Sequence, residues 1–251
     1  MKKFILFTAL LVLCALNAFS QRKSMKDSVY RLPMVGLHLS GQLPYADMAK
    51  RFGFDINVGM PVLFKTSKNI IFGIEGNYFF GTRIRERVML NLVNSDGTIT
   101  DVNGNPATFR LNERGWNVYA IAGMVFNKLG HNKNSGVMAM LGLGYMQHKV
   151  NIYDVGRTLV QISGDLVKGY DRLTGGIAVN QFIGYMYMSQ NRITNFYAGF
   201  ELQEAFTTGM RGYQYDTMAS DGASRMDILA GIRFGWLLPI YKKAPKDFYY
   251  Y

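Results

Sequence analysis

Hydrophobic and polar positions alternate along residues 54–64 and again along residues 70–80. In the first stretch, large apolar side chains occupy every second position, with Asp55 and Asn57 among the residues between them. A period of two predicts β-strands, because successive side chains of a strand point to opposite faces. The polar residues 66–69 join the two stretches. The pattern therefore predicts an antiparallel hairpin.

The two faces of this hairpin differ in a way that a soluble protein does not favour. One face carries large apolar groups, whereas the other carries glycine, acids and amides such as Glu75 and Asn77. Those groups are poor material for a soluble core. Strands of membrane barrels show this alternation, with apolar residues toward lipid and polar residues toward the lumen. The hairpin therefore predicts lipid outside and a tight polar interior.

Further alternations bring the number of predicted strands to eight. They lie at residues 34–43, 54–64, 70–80, 116–126, 137–150, 173–188, 195–207 and 226–238. An open sheet would leave backbone groups unsatisfied in lipid, so the sheet has to close. The predicted fold is all-β: a closed eight-stranded antiparallel transmembrane β-barrel.

Short and mostly longer connections alternate along the chain. The long ones include 83–114, 151–171 and 208–225, and outer-membrane barrels combine short periplasmic turns with long extracellular loops. Both termini are then expected in the periplasm. We expect a loop at 44–50, and hairpin extensions above the membrane around 88–93 and 107–111.

A soluble eight-stranded barrel of the lipocalin type is the competing architecture. Such a barrel places apolar residues inside and polar residues outside. The two architectures differ in the side to which Asp55, Glu75, Asn77, Glu201 and Arg233 point, and the alternation favours the membrane barrel, in which they point inward.

The first residues have the pattern of a secretory signal peptide at 1–20. Lys2 and Lys3 precede an apolar stretch at 4–18, and small residues precede a cleavage point before Gln21. The alternative is a retained membrane helix, but the apolar stretch is shorter than the about 20 residues that a span needs. Cys14, within this segment, is the only cysteine, so the mature chain has no thiol for disulfides or metal binding. Residues 21–31 are predicted to form a short polar periplasmic tail.

The amino-acid composition agrees with a membrane barrel, but it does not determine what the positive net charge interacts with. The chain has 17 Phe, 16 Tyr, 2 Trp and 27 Gly, which suits aromatic girdles and a crowded lumen. The formal net charge is +11, but nucleic acid is a poor partner for a secreted chain with scattered basic residues. Attraction to anionic lipid headgroups or cell-wall polymers and simple solvation of basic turns are both open.

Charged residues at inward positions predict a polar network in the lumen. Buried charges have to be paired, because an unpaired one costs several kcal/mol. We expect Arg233 to bridge Glu75 and Glu201 near mid-barrel and to close the lumen to ions; the alternative is that the network is structural only. The expected members are His38, Asp55, Glu75, Glu201, Asp227 and Arg233.

An enzyme is the less favoured interpretation. His148 lies near the outer end of a strand, and Ser163 and Asp165 lie in the loop beyond it, which is where a lipid A deacylase or acyltransferase would act. The spacing does not define a catalytic triad. The sequence has no clustered metal ligands and no phosphate-binding or dinucleotide motif, so we expect no metal and no cofactor.

The chain ends in a basic and aromatic tail at 242–251, after a barrel expected to span 32–241. An exposed aromatic cluster needs a partner or the membrane interface. The tail could therefore anchor the protein at the interface or dock another protein in the periplasm. Its candidate docking residues are Lys242, Lys243, Lys246, Phe248, Tyr249, Tyr250 and Tyr251.

Several segments resemble small eight-stranded outer-membrane proteins of the OmpA/OmpX type, and more specifically uncharacterised barrels of bacteria with type IX secretion. These segments are L-P-Y-A-D-M-A-K-R-F-G (43–53), F-G-I-E-G-N (72–77), G-Y-D-R-L-T (169–174), N-F-Y-A-G-F-E (195–201) and F-Y-Y-Y (248–251). The resemblance implies an outer-membrane barrel fold and location and carries no catalytic residue. In such bacteria small barrels serve as accessory subunits of secretion or barrel-assembly machines.

Three functions follow as hypotheses. The leading one is a non-enzymatic outer-membrane barrel that acts as a structural or accessory subunit of an outer-membrane secretion or barrel-assembly complex, with lipid and other outer-membrane or periplasmic proteins as partners. The second is a surface barrel that binds a ligand or mediates adhesion through loops 82–115 and 151–171. The third is a lipid-modifying enzyme at the rim.

Overall fold

The computed structural model describes residues 29–156, 158–189 and 193–240. The predicted signal peptide, most of the predicted N-terminal tail and the C-terminal tail lie outside these residues. The described strands are β1 (Leu32–Tyr45), β2 (Asp55–Lys65), β3 (Ile70–Gly81), β4 (Ile99–Thr100), β5 (Pro106–Ala107), β6 (Phe109–Phe126), β7 (Gly136–Asp154), β8 (Thr174–Met188), β9 (Asn195–Gly209) and β10 (Ser224–Pro239). The helical segments are α1 (Ala46–Arg51) and three 3₁₀ turns at Asn127–Leu129, Val160–Ile162 and Gly164–Gly169.

Eight of these strands form one closed antiparallel barrel, in the order β1-β10-β9-β8-β7-β6-β3-β2, and β4 and β5 form a separate hairpin. The ring closes because β1 pairs with β2 on one side and with β10 on the other. The pairing of β1 with β10 extends from Met34, opposite Pro239, to Tyr45, opposite Ile228. The predicted closed eight-stranded barrel is confirmed.

Side chains alternate between the outer and inner surfaces of the barrel. Leu39 and Phe200 are 55% and 68% exposed on the outside, whereas Glu75 and Arg233 are fully buried inside. An apolar exterior around a polar interior is the distribution that lipid requires, and it is the opposite of a lipocalin-type barrel. The barrel is therefore of the outer-membrane type.

The connections are short at one end of the barrel and mostly long at the other. Residues 66–69, 127–135 and 189–194 join strands at the short-turn end. At the long-loop end the connections are 82–108, 155–173 and 210–223, together with a shorter one at 46–54 that contains α1. No helix in the described part of the chain is long and apolar enough to span a membrane.

Some segments at the long-loop end differ from the sequence-based expectation. β6 begins at Phe109 instead of residue 116, and β7 continues to Asp154 instead of residue 150. Their ladder continues beyond the membrane belt, where outward positions are polar, so backbone pairing persists after the apolar alternation has ended. The loop expected at 44–50 contains the end of β1 and most of α1. In the connection 82–108, the hairpin is formed by β4 and β5, whereas residues 88–93 form no strand.

Glycines let large side chains fill the lumen. A Cβ atom on Gly59 would overlap the side chains of His38 and Asn77, and one on Gly115 would overlap the Phe79 ring. An eight-stranded barrel is only wide enough to be filled by its own side chains. These close contacts agree with the crowded lumen that the glycine content predicts.

Candidate functional site

An ion-pair network crosses the middle of the lumen. Nη1 and Nη2 of Arg233 donate to the two carboxylate oxygens of Glu75, each at 2.8 Å, and Nη2 also donates to Oε1 of Glu201. Each residue lies near the centre of its strand, and all three side chains are fully buried. The structure thus brings together the three residues expected to meet at mid-barrel.

Neutral donors complete the coordination of both carboxylates. Oε2 of Glu201 accepts hydrogen bonds from Ser40 Oγ at 3.0 Å and Gln42 Nε2 at 3.2 Å. Gln203 Nε2 donates to Oε1 of Glu201 at 2.9 Å, and Asn77 Nδ2 donates to Oε1 of Glu75 at 3.0 Å. Charge-assisted bonds of this kind are about twice as strong as neutral ones. The network therefore links β1, β3, β9 and β10 across the lumen.

His38 lies at the edge of this network. Its Nδ1 is 3.2 Å from the hydroxyl of Tyr197, and its Nε2 is 3.9 Å from Oε1 of Glu75. The ring faces Gly59. His38 therefore lies in the lumen beside the central ion pair and is not one of its hydrogen-bonding members.

A second polar cluster lies nearer the long-loop end. His148 Nε2 is 2.9 Å from Oδ2 of Asp227, and Thr207 Oγ1 donates to the same oxygen at 2.6 Å. The Phe52 ring packs edge-on against His148, with ring centroids 5.4 Å apart. Asp227 thus belongs to this cluster and does not contact Arg233, contrary to the single network expected from the sequence.

Asp55 also lies apart from the central network. Neither of its carboxylate oxygens accepts a hydrogen bond within the described residues, and the same is true of Glu113. The two residues flank Gly81 in the ladder, Asp55 on β2 and Glu113 on β6. Asp55 is the first residue of β2, at the long-loop end, whereas Arg233 lies near the centre of β10. The expected contact between Asp55 and Arg233 therefore does not form.

The segment 46–54 and the long loops cover the lumen at the long-loop end. Met48 and Phe52 are fully buried. Arg51, at the end of α1, donates to Glu86 Oε2 and to the Arg172 carbonyl, each at 2.8 Å, and to Thr174 Oγ1 at 2.9 Å. We name this arrangement, α1 with Phe52 and the bonds of Arg51, the lumen cap.

Partly buried ion pairs join the long loops to one another and, through Glu86, to the lumen cap. Arg172 donates to Glu86 Oε1 at 3.1 Å and to Asp216 Oδ2 at 2.8 Å. Arg211 donates to both oxygens of Asp171, at 2.9 and 2.5 Å, and these hydrogen bonds raise the pKa of Arg211 above its usual range. Sequence patterns did not indicate these residues, because loop contacts follow no strand or helix period.

The candidate catalytic residues do not meet. His148 is buried against Asp227, whereas Ser163 Oγ donates to the carbonyl of Val160 at 2.9 Å in the exposed loop. Asp165 is paired with Lys168 at 2.5 Å, and the hydrogen bond from Lys168 lowers the Asp165 pKa. No group of three or more His, Cys, Asp or Glu in the described ranges is arranged to hold a metal ion.

Comparison with known proteins gives similarity of architecture only. No family model matches the chain, and no curated protein matches it. Among solved structures, Neisserial surface protein A has 9% identity over 83% of this chain and 97% of that chain, with a TM-score of 0.44. A major outer-membrane protein from Thermus thermophilus has 10% identity over 83% and 99%, with a TM-score of 0.44. OprG from Pseudomonas aeruginosa has 11% identity over 86% and 99%, with a TM-score of 0.36.

Proposed function

We propose that this outer-membrane-type barrel is a non-enzymatic protein with a closed lumen, which serves as a structural or accessory subunit in the outer membrane. The observation that carries the proposal is the position of Arg233, which reaches Glu75 on one side of the lumen and Glu201 on the other. A fully buried cation held between two acids fills the middle of the lumen with paired side chains, which supports closure of the lumen to ions. The lumen cap adds a second closure.

The proposed placement has the long-loop end outside the cell and the short-turn end in the periplasm. The signal-peptide pattern at 1–20 supports export across the inner membrane. Long loops of outer-membrane barrels lie on the extracellular side. With eight strands, both termini then lie in the periplasm, and the basic and aromatic tail at 242–251 is available to periplasmic proteins.

Conductance of the purified protein in planar lipid bilayers tests the closed lumen. We expect no stable open channels from the wild-type protein. The variant Arg233→Ala removes the central cation and leaves a gap in the lumen below the lumen cap. Because the lumen cap still closes the long-loop end, we expect this variant to show only brief channel openings. Long-lived, well-defined channels in the wild-type protein would overturn the closed-lumen proposal.

The accessory role follows from the closed lumen and from the tail. A barrel that conducts nothing acts through its outer surfaces, its loops or its tail. The resemblance to barrels of bacteria with type IX secretion favours a secretion or barrel-assembly complex as the partner. Extraction in mild detergent should recover a stoichiometric complex, and deletion of residues 242–251 should release the partner. A lone monomer from both proteins would contradict this role.

Ligand binding at the long-loop end is the second candidate function. It is favoured by the ion pairs of Arg172 and Arg211, which hold the loops in a defined surface over the lumen cap. An ordered surface binds a ligand with less loss of conformational entropy than mobile loops do. Binding of the wild-type protein to an extracellular polymer, lost after replacement of residues 158–168, would favour this function over the accessory role.

A further inference from the structure

Two cations lie side by side on the outer surface of the barrel, near the long-loop end. Arg114 on β6 and Lys149 on β7 are directly opposite in the ladder. Their strand neighbours Glu113, His148 and Val150 are buried in the lumen, so alternation directs Arg114 and Lys149 outward. Like charges directly opposite each other destabilise a sheet. We name the two residues the outer-rim cation pair.

The described residues give this pair little compensating charge. Lys149 Nζ is 3.8 Å from Oδ2 of Asp171, but both oxygens of Asp171 are already hydrogen-bonded by Arg211. Arg114 forms no ion pair within the described ranges. It donates to the carbonyl of Glu113 at 3.4 Å, and its guanidinium lies 5.7 Å from the centre of the Phe80 ring.

The outer-rim cation pair borders the aromatic girdle of the barrel. Trp116 and Tyr145 are in contact, with ring centroids 5.6 Å apart, and Tyr78 is opposite Trp116 in the ladder. Trp and Tyr gather where acyl chains meet headgroups. Arg114 and Lys149 lie closer to the long-loop end than these rings do, and therefore at the level of the headgroups.

A shallow depression of about 290 Å³ joins the charges and the rings. Arg114, Lys149, Tyr78 and Trp116 line it, together with other residues that include the amides Gln147 and Asn151. Arginine offers a planar fork and lysine a point charge, the two groups that proteins use for phosphate. The amides add neutral donors, and the rings offer an apolar wall below them.

From this geometry we propose that the depression binds the phosphate group of an outer-leaflet lipid. Arg114 and Lys149 bind the phosphate oxygens, Gln147 and Asn151 donate to the adjoining headgroup, and Tyr78 and Trp116 contact the first carbons of the lipid. The bound phosphate neutralises the repulsion between the two cations. This inference rests on the proposed placement of the long-loop end outside the cell, and it does not depend on the closed lumen or on the accessory role.

Native mass spectrometry and lipid titration of the full chain in detergent test the proposal, with diphosphorylated lipid A as the probe and the same glycolipid without phosphates as the comparison. We expect wild-type protein to retain lipid A and to bind the dephosphorylated lipid at least about tenfold more weakly. The double variant Arg114→Gln/Lys149→Gln should lose lipid A binding by a similar factor. Lys149→Arg should retain it.

The matched control is Lys68→Gln/Lys128→Gln, which removes the same charge from exposed turns at the short-turn end and should bind lipid A as wild type does. Equal lipid A binding by wild type and Arg114→Gln/Lys149→Gln would overturn the proposal. Displacement of the lipid by millimolar inorganic phosphate would also overturn it, because the site would then be one for free anions. Heat-dependent gel mobility verifies that each variant is folded.

Discussion

Arg233 and Glu75 are joined by two parallel hydrogen bonds of 2.8 Å, formed across the fully buried centre of the lumen. Glu201 approaches the same guanidinium from β9. One cation therefore serves two acids that would otherwise repel each other in a site without water access. This arrangement makes the charge balance of the central ion-pair network depend on the side chain of Arg233.

Replacing Arg233 by methionine should destabilise the barrel strongly. Glu75 and Glu201 would then face each other without a counter-charge, and breaking a buried pair in this way costs about 3 to 5 kcal/mol in the free energy of unfolding. Urea unfolding in lipid vesicles measures the loss. Arg83→Met, in an exposed loop position, is the control and should change little.

The triple variant Glu75→Gln/Glu201→Gln/Arg233→Met separates charge balance from packing. It leaves no unpaired charge, so it should recover most of the stability that Arg233→Met loses. If the triple variant is as unstable as Arg233→Met, the cost comes from lost packing of the arginine side chain and the charge-balance argument is wrong.

The meeting of Arg233, Glu75 and Glu201 could be anticipated because a period of two determines to which side each residue points. Alternation does not determine height along the barrel axis. Height depends on the register between strands, for example on the pairing of Gln42 with both Asp55 and Gly231. For this reason the sequence predicts the face to which Asp55 and Asp227 point, but not that both lie away from Arg233 along the barrel axis.

The lumen cap could not be predicted from local patterns. Arg51 and Arg172 are separated by more than a hundred residues along the chain, and both bind Glu86 in a loop without periodic structure. Such contacts depend on the closed barrel, which brings the loops together above the lumen. The long-loop end of β6 is not predictable for a related reason, since its backbone pairing with β7 continues where no apolar face marks a strand.

Replacing Arg51 by alanine should loosen the lumen cap without unfolding the barrel. Arg51 makes three hydrogen bonds to the long-loop end, and its loss leaves Arg172 as the remaining ion-pair partner of Glu86 among the described residues. Limited proteolysis should cleave residues 82–108 several-fold faster than in wild type. Lys50→Ala is the matched control, because Lys50 is exposed and bonds only its helix neighbour Asp47 within the described residues. Equal cleavage rates in the Arg51 and Lys50 variants would show that Arg51 does not hold the cap.

The unpaired acids Asp55 and Glu113 should weaken the barrel. Each is buried without a hydrogen-bond donor in the described residues, and an unsatisfied buried group costs about 1 to 3 kcal/mol. Glu113→Met removes both unsatisfied oxygens with a side chain of similar length, so it should raise the urea midpoint at neutral pH. Asp227→Asn should lower it, because the carboxylate of Asp227 has partners in His148 and Thr207. A lower midpoint for Glu113→Met would mean that the carboxyl group of Glu113 has a stabilising partner in the folded protein.

Gln181 interrupts the apolar belt of the barrel. It lies on β8 between Val179 and Ile183, opposite Leu141 and Leu202, and its exposed side chain faces lipid. It forms no side-chain hydrogen bond within the described residues. A lipid-facing amide without a partner is unfavourable, so Gln181→Leu should raise the free energy of unfolding in phosphatidylcholine vesicles by about 1 to 3 kcal/mol.

The effect of this substitution should depend on depth in the membrane. Gln147 also points outward, but it lies beside the outer-rim cation pair, where water and headgroups can bond its amide. Gln147→Leu should therefore change stability by less than about 0.5 kcal/mol. The opposite result would be that Gln181→Leu lowers the free energy of unfolding and also abolishes a cross-linked dimer in the membrane. That result would show that Gln181 pairs with a second chain inside the bilayer. Polar residues at such positions mark functional contacts when they are paired, so this one measurement distinguishes a tolerated defect from an interface.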